Sequence, residues 1–419
     1  MTRLTTSLRE FTPMNNPRPG RVIERLKRSG FSQFARFSAF RLSQRMGARF
    51  SWRDFDLPLR PSDLMESGSL DLDHAPALSG PLRIGWVCTA PGPGSGGHTT
   101  LFRMVKGLEE RGHSCTLFLY DHDSNDVSGR IATVRRYWPE MEADIRSATP
   151  AIDGVDAVVA SSWATAHVVA ALARGPIHRF YFIQDYEPYF YPRGELYSFA
   201  EDTYKFGFSN IALGNMVAKR LQLEAQVKPD FTVPFGCDTD IYGLQGFGDR
   251  PPRNGVVFYA RPNADRRGYL LGRLAIELFH ERHPEQHIHV VGDTISGWTV
   301  PTINHGRLSP AELNVLFNRS ITGIAMSFTN VSLSAEEMLA AGCLPVINDS
   351  IMARADLTSE FALWTPPAPK NVADALSRAV ERSDLETNAR LAALSVRRGW
   401  GETQRQVAEA IESVCNTGL

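Results

Sequence analysis

The chain has 419 residues, enough for two or three domains. Its composition, 43% hydrophobic and 22% charged, is ordinary for a globular protein, and a formal net charge of −1 argues against a nucleic-acid binder as a whole. No apolar run reaches the roughly 18 residues of a membrane span, no signal-peptide core stands near the start, and the five cysteines (Cys88, Cys115, Cys237, Cys343, Cys415) form no C-x-x-C pair. Neither a zinc site nor a disulfide framework is indicated, and a reduced, cytoplasmic protein is expected.

Residues 1–80 read as a basic N-terminal extension and linker. Met1 to Arg60 holds thirteen Lys and Arg against four Asp and Glu, a local charge of +9, so the remainder is acidic. Phe31, Phe34, Phe37 and Phe40 recur at a spacing of three among arginines, which lines them along one side of a helix. Such a helix suits an anionic membrane surface, here the inner face, and equally suits an arm folded on its own protein. Leu57 to Pro81, with its Pro, Ser and Asp, reads as the linker.

From Leu82 the pattern alternates between strands and helices. Leu82–Cys88 is a buried strand, followed by a glycine-rich loop and an amphipathic helix through Leu101, Val105 and Leu108. Further strands read at Cys115–Tyr120, Asp156–Ala160, Arg179–Ile183, Asn210–Leu213 and Phe231–Pro234. A Gly- and Pro-rich loop follows near 240–250, and the same grammar restarts. Strands read at Val256–Arg261, Ile288–Asp293, Ile321–Ser327 and Leu344–Asn348, and helices at Gly268–Arg282, Pro310–Asn318, Lys370–Glu381 and Thr403–Val414. Strands separated by helices predict parallel sheets with right-handed crossovers and a ligand crevice at the strands' carboxyl ends. The chain is therefore expected to be α/β, with two doubly wound Rossmann-like domains, 81–242 and 243–399, a cleft between them, and a closing segment at 400–419.

The stretch Ser327 to Asn348 carries the clearest chemistry. A strand feeds through a small-residue loop into a helix start, where backbone N–H groups and the helix dipole favour an anion. Glu337, one turn on, offers acceptors only and suits a pair of sugar hydroxyls. A nucleotide would fit both, although a serine before a helix is also an ordinary N-cap. Arg261, Arg266 and Arg267 follow the first strand of the second half, where bidentate guanidiniums could clamp a diphosphate; they could also be solvated loop arginines. Gly94-Ser95-Gly96-Gly97-His98 allows close backbone approach of a ligand but lacks the G-x-G-x-x-G spacing, and Asp121 stands where a dinucleotide's ribose reader would. Gln184 to Tyr191 holds two carboxylates and four aromatics, suited to a carbohydrate or to filling an interface. Asp121-His122-Asp123 has a D-x-D form, as do Asp71–Asp73 and Asp238–Asp240; carboxylate pairs in loops are usually solvated, and no metal site is assigned.

Together these residues resemble a family 4 glycosyltransferase of the GT-B fold, closest to the WsaF-type rhamnosyltransferases of surface-glycan synthesis. The resemblance spans roughly Leu82 to Cys415. It is carried by GSGGHTT, YFIQDYEPYFYPRGE, PFGCD, FYARPNADRRG, SLSAEEMLAAGCLPVI and the late RRGWGETQ, which is similar to the start of a last helix that crosses back to the first domain. It implies that Arg261 and Arg267, with Arg266 beside them, bind the donor's phosphates. Backbone amides around Ser332, Leu333 and Ser334 would hold the diphosphate, Glu337 the ribose, and Gly96 and Gly97 would approach the donor. It places His98, Gln184, Asp185, Tyr186, Glu187 and Tyr191 on the acceptor side. Thr329 stands where the family's E-x7-E motif has its first Glu. Gln184 stands near where many relatives have a His that contacts a sugar 6-hydroxyl, which is consistent with a 6-deoxy sugar.

The reading is a retaining, metal-independent glycosyltransferase without a cofactor. It would move L-rhamnose from dTDP-rhamnose to a glycan or lipid-linked acceptor, with Arg261, Arg267 and Glu337 as its catalytic set. A UDP- or GDP-linked donor, a sugar-nucleotide epimerase, or a non-catalytic nucleotide- or glycan-binding partner are the alternatives.

Overall fold

The computed structural model describes residues 42, 57–65, 70–92, 94–246, 252–330, 333–396 and 399–417. The chain divides into two compact units, Met1–Pro58 and Leu59–Leu419. The basic helix expected around Phe31 to Phe40 lies outside the described residues, as does Ser332. The second unit is built on two parallel sheets.

Its first half is a seven-stranded parallel sheet of β1 (Arg83–Thr89), β2 (Ser114–Tyr120), β3 (Asp144–Ser147), β4 (Ala157–Ala160), β5 (His178–Ile183), β6 (Ser209–Leu213) and β7 (Phe231–Val233), in the order β3-β2-β1-β4-β5-β6-β7. Between these strands run α1 (Gly96–Glu110), α2 (Ser128–Tyr137), α3 (Trp163–Leu172), α4 (Glu195–Asp202) and α5 (Asn215–Arg220). All four residues of β4 are fully buried, as expected of a strand covered on both faces. Helix α3 starts at Ser162, whose side chain and that of Thr165 form a reciprocal capping box.

The second half is a six-stranded parallel sheet of β8 (Val256–Ala260), β9 (Ile288–Gly292), β10 (Ile303–Gly306), β11 (Thr322–Ile324), β12 (Leu344–Asn348) and β13 (Leu363–Thr365), in the order β10-β9-β8-β11-β12-β13. Its helices are α6 (Tyr269–His280), α7 (Pro310–Arg319), α8 (Leu333–Ala340), α9 (Pro369–Val380) and α10 (Leu385–Ser395). In each sheet the strand order reverses at one place, between β1 and β4 and between β8 and β11. A crevice opens at the carboxyl ends of strands at such a switch point. The glycine loop and Ser161 follow β1 and β4; Arg261 and Ala325 to Asn330 follow β8 and β11.

β11 is shorter than the expected Ile321–Ser327. The Asn348 side chain takes the backbone N–H of Ser327 at 2.9 Å and donates to its carbonyl at 2.8 Å. That pair bends Ser327 out of the ladder and starts the loop. The stretch read as a linker packs along the first sheet. Leu59 and Ala75 are buried, and the Arg60 guanidinium donates to the carbonyls of Asp121 and His122 at 3.1 and 3.0 Å. Tyr120 donates its hydroxyl to Asp63 at 2.6 Å, and the Pro76 carbonyl meets the His178 ring at 2.9 Å.

The last helix, α11 (Gly401–Thr417), belongs to the first sheet's core. Val407, Ala408, Ile411 and Cys415 are fully buried there with Leu101, Val105 and Leu108 of α1. Thr403 donates to the Pro234 carbonyl at 2.8 Å and Gln404 to that of Arg103 at 2.8 Å. Trp400, at the start of this crossing, lies so close to Gly236 that a Cβ there would stand 2.7 Å from its ring and 2.8 Å from the Gly399 carbonyl oxygen. Gly236→Ala is therefore expected to cost about 1–3 kcal/mol by overpacking against a ring and a backbone atom. Urea unfolding measures it; an unchanged midpoint would show that this crossing is loosely held.

Candidate active site

The arginines lie at the second sheet's switch point. After β8, Arg261 is exposed, with its guanidinium 4.8 Å from the Tyr259 ring. A short turn at Asp265–Arg267 then delivers Arg266 and Arg267 and closes on Gly268, whose φ of 65° is left-handed. Arg266 reaches the first half, its guanidinium 4.4 Å from the ring of Phe190, a favourable stacking of cation on π-face. Arg267 donates to the Ser327 hydroxyl at 3.0 Å. Burial lowers the Arg267 pKa to about 10; Asp185 opposes that shift, and the neighbouring Arg266 and Arg261 add to it. The three cations are thus mutually repelling, and an anion among them relieves the repulsion.

Asp185 faces them from the end of β5. It is buried, and its Oδ2 accepts from the Thr329 hydroxyl at 2.8 Å across the two halves, while its Oδ1 has no hydrogen-bond partner among the described residues. Burial pushes its carboxyl up to about 6, against the pull of Arg267 and of the Thr329 hydrogen bond. Beside it, Asn330 donates to the Gln184 carbonyl at 3.3 Å. The Gln184 amide oxygen lies 3.8 Å from where a Cβ on Gly97 would stand, so the glycine loop borders the same space. Gly96 and Gly97 are exposed. Thr329, in the place of the missing carboxylate, thus reaches a carboxylate supplied by the first half.

Glu337 sits in the middle of α8, whose first residues are Leu333 and Ser334. Leu333 packs against the first sheet's core. Burial raises the Glu337 carboxyl to about 7; Arg103 opposes this, and Asp238 and Glu336 add to it.

The remaining expected residues differ in what they offer. His98 has both ring nitrogens engaged, with the Ser95 hydroxyl at 2.7 Å and the Thr89 carbonyl at 3.0 Å. A carbonyl only accepts, so Nε2 carries the proton and Nδ1 accepts from Ser95. Tyr186 and Glu187, expected on the acceptor side, turn into the first half instead. Tyr186 donates to Glu201 at 2.8 Å. Glu187 is buried and accepts from the Trp163 backbone N–H at 2.5 Å and the Tyr181 hydroxyl at 3.2 Å. The Tyr204 ring, just after α4, packs against those of Tyr181 in β5 and of Tyr186. Tyr191 accepts from the Trp163 indole at 3.1 Å. Asp121, His122 and Asp123 are close enough to hold a cation, but Asp121 already accepts from Arg130 and from the Asp123 backbone. Phe190, Ser327 and Asn348 join the site without having been named as contacts there, although Phe190 stands in the aromatic loop and Ser327 and Asn348 bound the stretch read as a nucleotide site.

Two Rossmann-like sheets whose switch points bear on one cleft, closed by a helix that returns to the first, define the GT-B architecture of glycosyltransferases. More particularly, two family models match the chain: the one described as WsaF, N-terminal domain, over residues 142–216, and WsaF, C-terminal domain, over 254–377. The chain is 27% identical over 398 residues to the O-antigen biosynthesis protein RfbC of Myxococcus xanthus, a match covering 84% of this chain and 29% of that protein. It thus spans under a third of that relative's length. Among solved structures it is similar to Anabaena HepE in complex with UDP and glucose (TM-score 0.59, 14% identity, 79% of this chain and 100% of that one). It is also similar to WaaG, a glycosyltransferase of lipopolysaccharide biosynthesis (TM-score 0.56, 15% identity, 78% and 99%).

The buried aromatic loop also ties stability to pH. Burial pushes the Glu187 carboxyl up to about 8. A carboxyl raised on folding contributes stability that is complete below its unfolded pKa of about 4.3 and is lost as pH rises through the folded value. Glu187→Gln is therefore expected to gain stability relative to the parent between pH 5 and 8.5, read as the difference in melting temperature. A difference that stays flat with pH would show that Glu187 is ionised throughout.

Proposed function

We propose that the chain is a retaining glycosyltransferase that takes a sugar from a nucleoside diphosphate, L-rhamnose from dTDP-rhamnose, and passes it to a surface polysaccharide or its lipid-linked precursor. The observation that carries this reading is the arginine cluster Arg261, Arg266 and Arg267 facing Asp185 across the cleft. Charge builds on the leaving diphosphate as the glycosidic bond breaks, and fixed cations aimed at that charge lower the barrier. Arg261 and Arg267 hold the phosphates, and the backbone of Leu333 and Ser334 at the start of α8 adds donors. Glu337 accepts from the nucleotide's sugar. The acceptor hydroxyl attacks from the face the diphosphate leaves, from the side of Gln184, Asp185 and Tyr191.

Rhamnose in particular is supported by Gln184 in place of a histidine that would meet a 6-hydroxyl. A UDP-linked donor is the second reading, favoured by the likeness to HepE, solved with UDP-glucose. The O-antigen role of RfbC supports a surface-glycan acceptor.

Acceptor-dependent release of nucleoside diphosphate from dTDP-rhamnose and from UDP-glucose tests the reaction. Arg267→Ala is expected to lower kcat/KM by about 10² or more, as loss of a charge-stabilising donor does. With arginines and amides neutralising the diphosphate, the rate is expected to survive EDTA. Normal turnover of the variant, or loss restored by Mn²⁺, would contradict this assignment.

Membrane contact is proposed for the segment before Leu59. No described helix is long and apolar enough to cross a membrane. Each Lys or Arg near an anionic surface adds about 1 kcal/mol within a Debye length, so this segment, of charge +8, is expected to carry the full chain down with anionic vesicles at low salt and release it at high salt. Failure to sediment at low salt would remove the membrane role.

A further inference from the structure

Three histidines meet at the β10 edge of the second sheet, outside the arginine cleft. His287 stands just before β9, and His289 is the second residue of that strand. The alternation of an extended chain puts the two on one face. His305 comes from β10, the edge strand. Nδ1 of His289 and Nε2 of His305 lie 3.0 Å apart, and the His287 ring centroid is 6.0 Å from that of His289.

The backbone itself delivers His305 to this place. Ile303 pairs with His289 and Asn304 with Val290, but Gly306 pairs with Val291, so His305 is an extra residue with no partner of its own in the ladder. Such an irregularity re-aims the side chain that it carries. The other histidines with two engaged nitrogens behave differently. His98, His113 and His167 each bind backbone, hydroxyl or carboxylate groups through both ring nitrogens. Those bonds fix a tautomer and make the ring a structural piece. Among the described residues, the rings of His289 and His305 are hydrogen-bonded only to each other. Burial, and then the neighbouring His305 and His287, lower the His289 pKa to about 4, so its imidazole is neutral at ordinary pH, the form that ligates a metal.

Imidazole–metal bonds are about 2.0–2.1 Å long, so two nitrogens on one ion stand roughly 2.9 Å apart at a right angle and roughly 3.3 Å at a tetrahedral one. The spacing of His289 and His305 falls between these. We infer that His289 and His305 form a site for a divalent transition metal ion of the imidazole-preferring class, Zn²⁺, Ni²⁺ or Cu²⁺, with exposed His287 close enough to add a third nitrogen when its side chain rotates. The ion takes the place of the proton between the rings, and that proton moves to the outer nitrogen of the same ring. By joining β10 to β9 the ion stabilises an edge strand that is only four residues long and partly exposed. The site takes no part in phosphate binding, and turnover is expected to survive its removal.

Calorimetric titration of the untagged full chain, first freed of metal with a chelator, tests this with Zn²⁺, Ni²⁺ and Mg²⁺ at pH 7.5. One equivalent of Zn²⁺ or Ni²⁺ is expected to bind and to raise the melting temperature, as a ligand of the native state does. Mg²⁺, which prefers oxygen ligands, is expected to do neither. His305→Ala and His289→Gln are each expected to weaken Zn²⁺ by more than the about tenfold that loss of an outer-sphere partner costs. If His289→Gln does not fold, His305→Ala, on the partly exposed strand, carries the test. His287→Ala is expected to weaken Zn²⁺ less, and no change there would strike His287 from the set. Asp121→Asn, in the other group close enough to hold a cation, is expected to leave the affinity as it was. Absence of stoichiometric binding, unchanged affinity in His305→Ala, or loss in Asp121→Asn instead would overturn the inference and leave the two rings an ordinary hydrogen-bonded pair.

Discussion

Three guanidiniums held at one switch point, against a single buried carboxylate from the opposite sheet, are the constraint around which this molecule is arranged. Burial lowers the Arg267 pKa, and repulsion from Arg266 and Arg261 adds to that. Asp185 offsets part of the repulsion, but it follows the last residues of β5 in the other half and reaches across through the Thr329 hydroxyl. The same contacts that neutralise the cluster therefore also hold the two halves together. Arg266 on Phe190 and Asn330 on the Gln184 carbonyl add to this seam. Further along it, Asp356 of the second half accepts from the first two backbone N–H groups of α5, at 2.6 and 2.8 Å. A diphosphate entering the cluster would supply the missing negative charge, so binding and domain contact are electrostatically one event.

Much of this is legible in the sequence because parallel sheets write themselves plainly. Buried strands such as β4 and β12 are continuous apolar runs, and the residues that follow them stand at the crevice by topology alone. That is why Arg261 and Glu337 can be expected near a ligand from their place in the sequence, whereas Thr329 enters only through the family resemblance. The edge strands β3, β10 and β13 are not legible. They are three or four residues long and partly exposed, with sequences such as DIRS and INHG that carry no apolar signal.

The site is less legible than the fold, for a physical reason. Tyr186 and Glu187 have the composition of carbohydrate contacts, and nothing in their spacing shows that a tyrosine cluster and the α3 N-terminus would bury them. Residues 57–81 carry the Pro and Ser of a linker, yet Arg60 finds three oxygen acceptors in the β2 loop, at Asp121, His122 and Asn125. Arg103 is far in sequence from Asp238 and Trp400; the loop after β7 brings the one to it and the return of α11 the other. Long-range charge partners of this kind leave no mark on a single sequence.

A nucleoside diphosphate is expected to lie in the second half, with its phosphates among Arg261, Arg266 and Arg267 and its sugar on Glu337. A crystal structure of the protein with dTDP bound tests this most directly. Phosphate oxygens are expected within hydrogen-bond distance of Arg261 or Arg267 and of the backbone at Ser334, with the sugar hydroxyl on the Glu337 carboxylate. A nucleotide bound instead against Gly94 to Gly97, with Asp121 on its sugar and the arginine cluster empty, would contradict it.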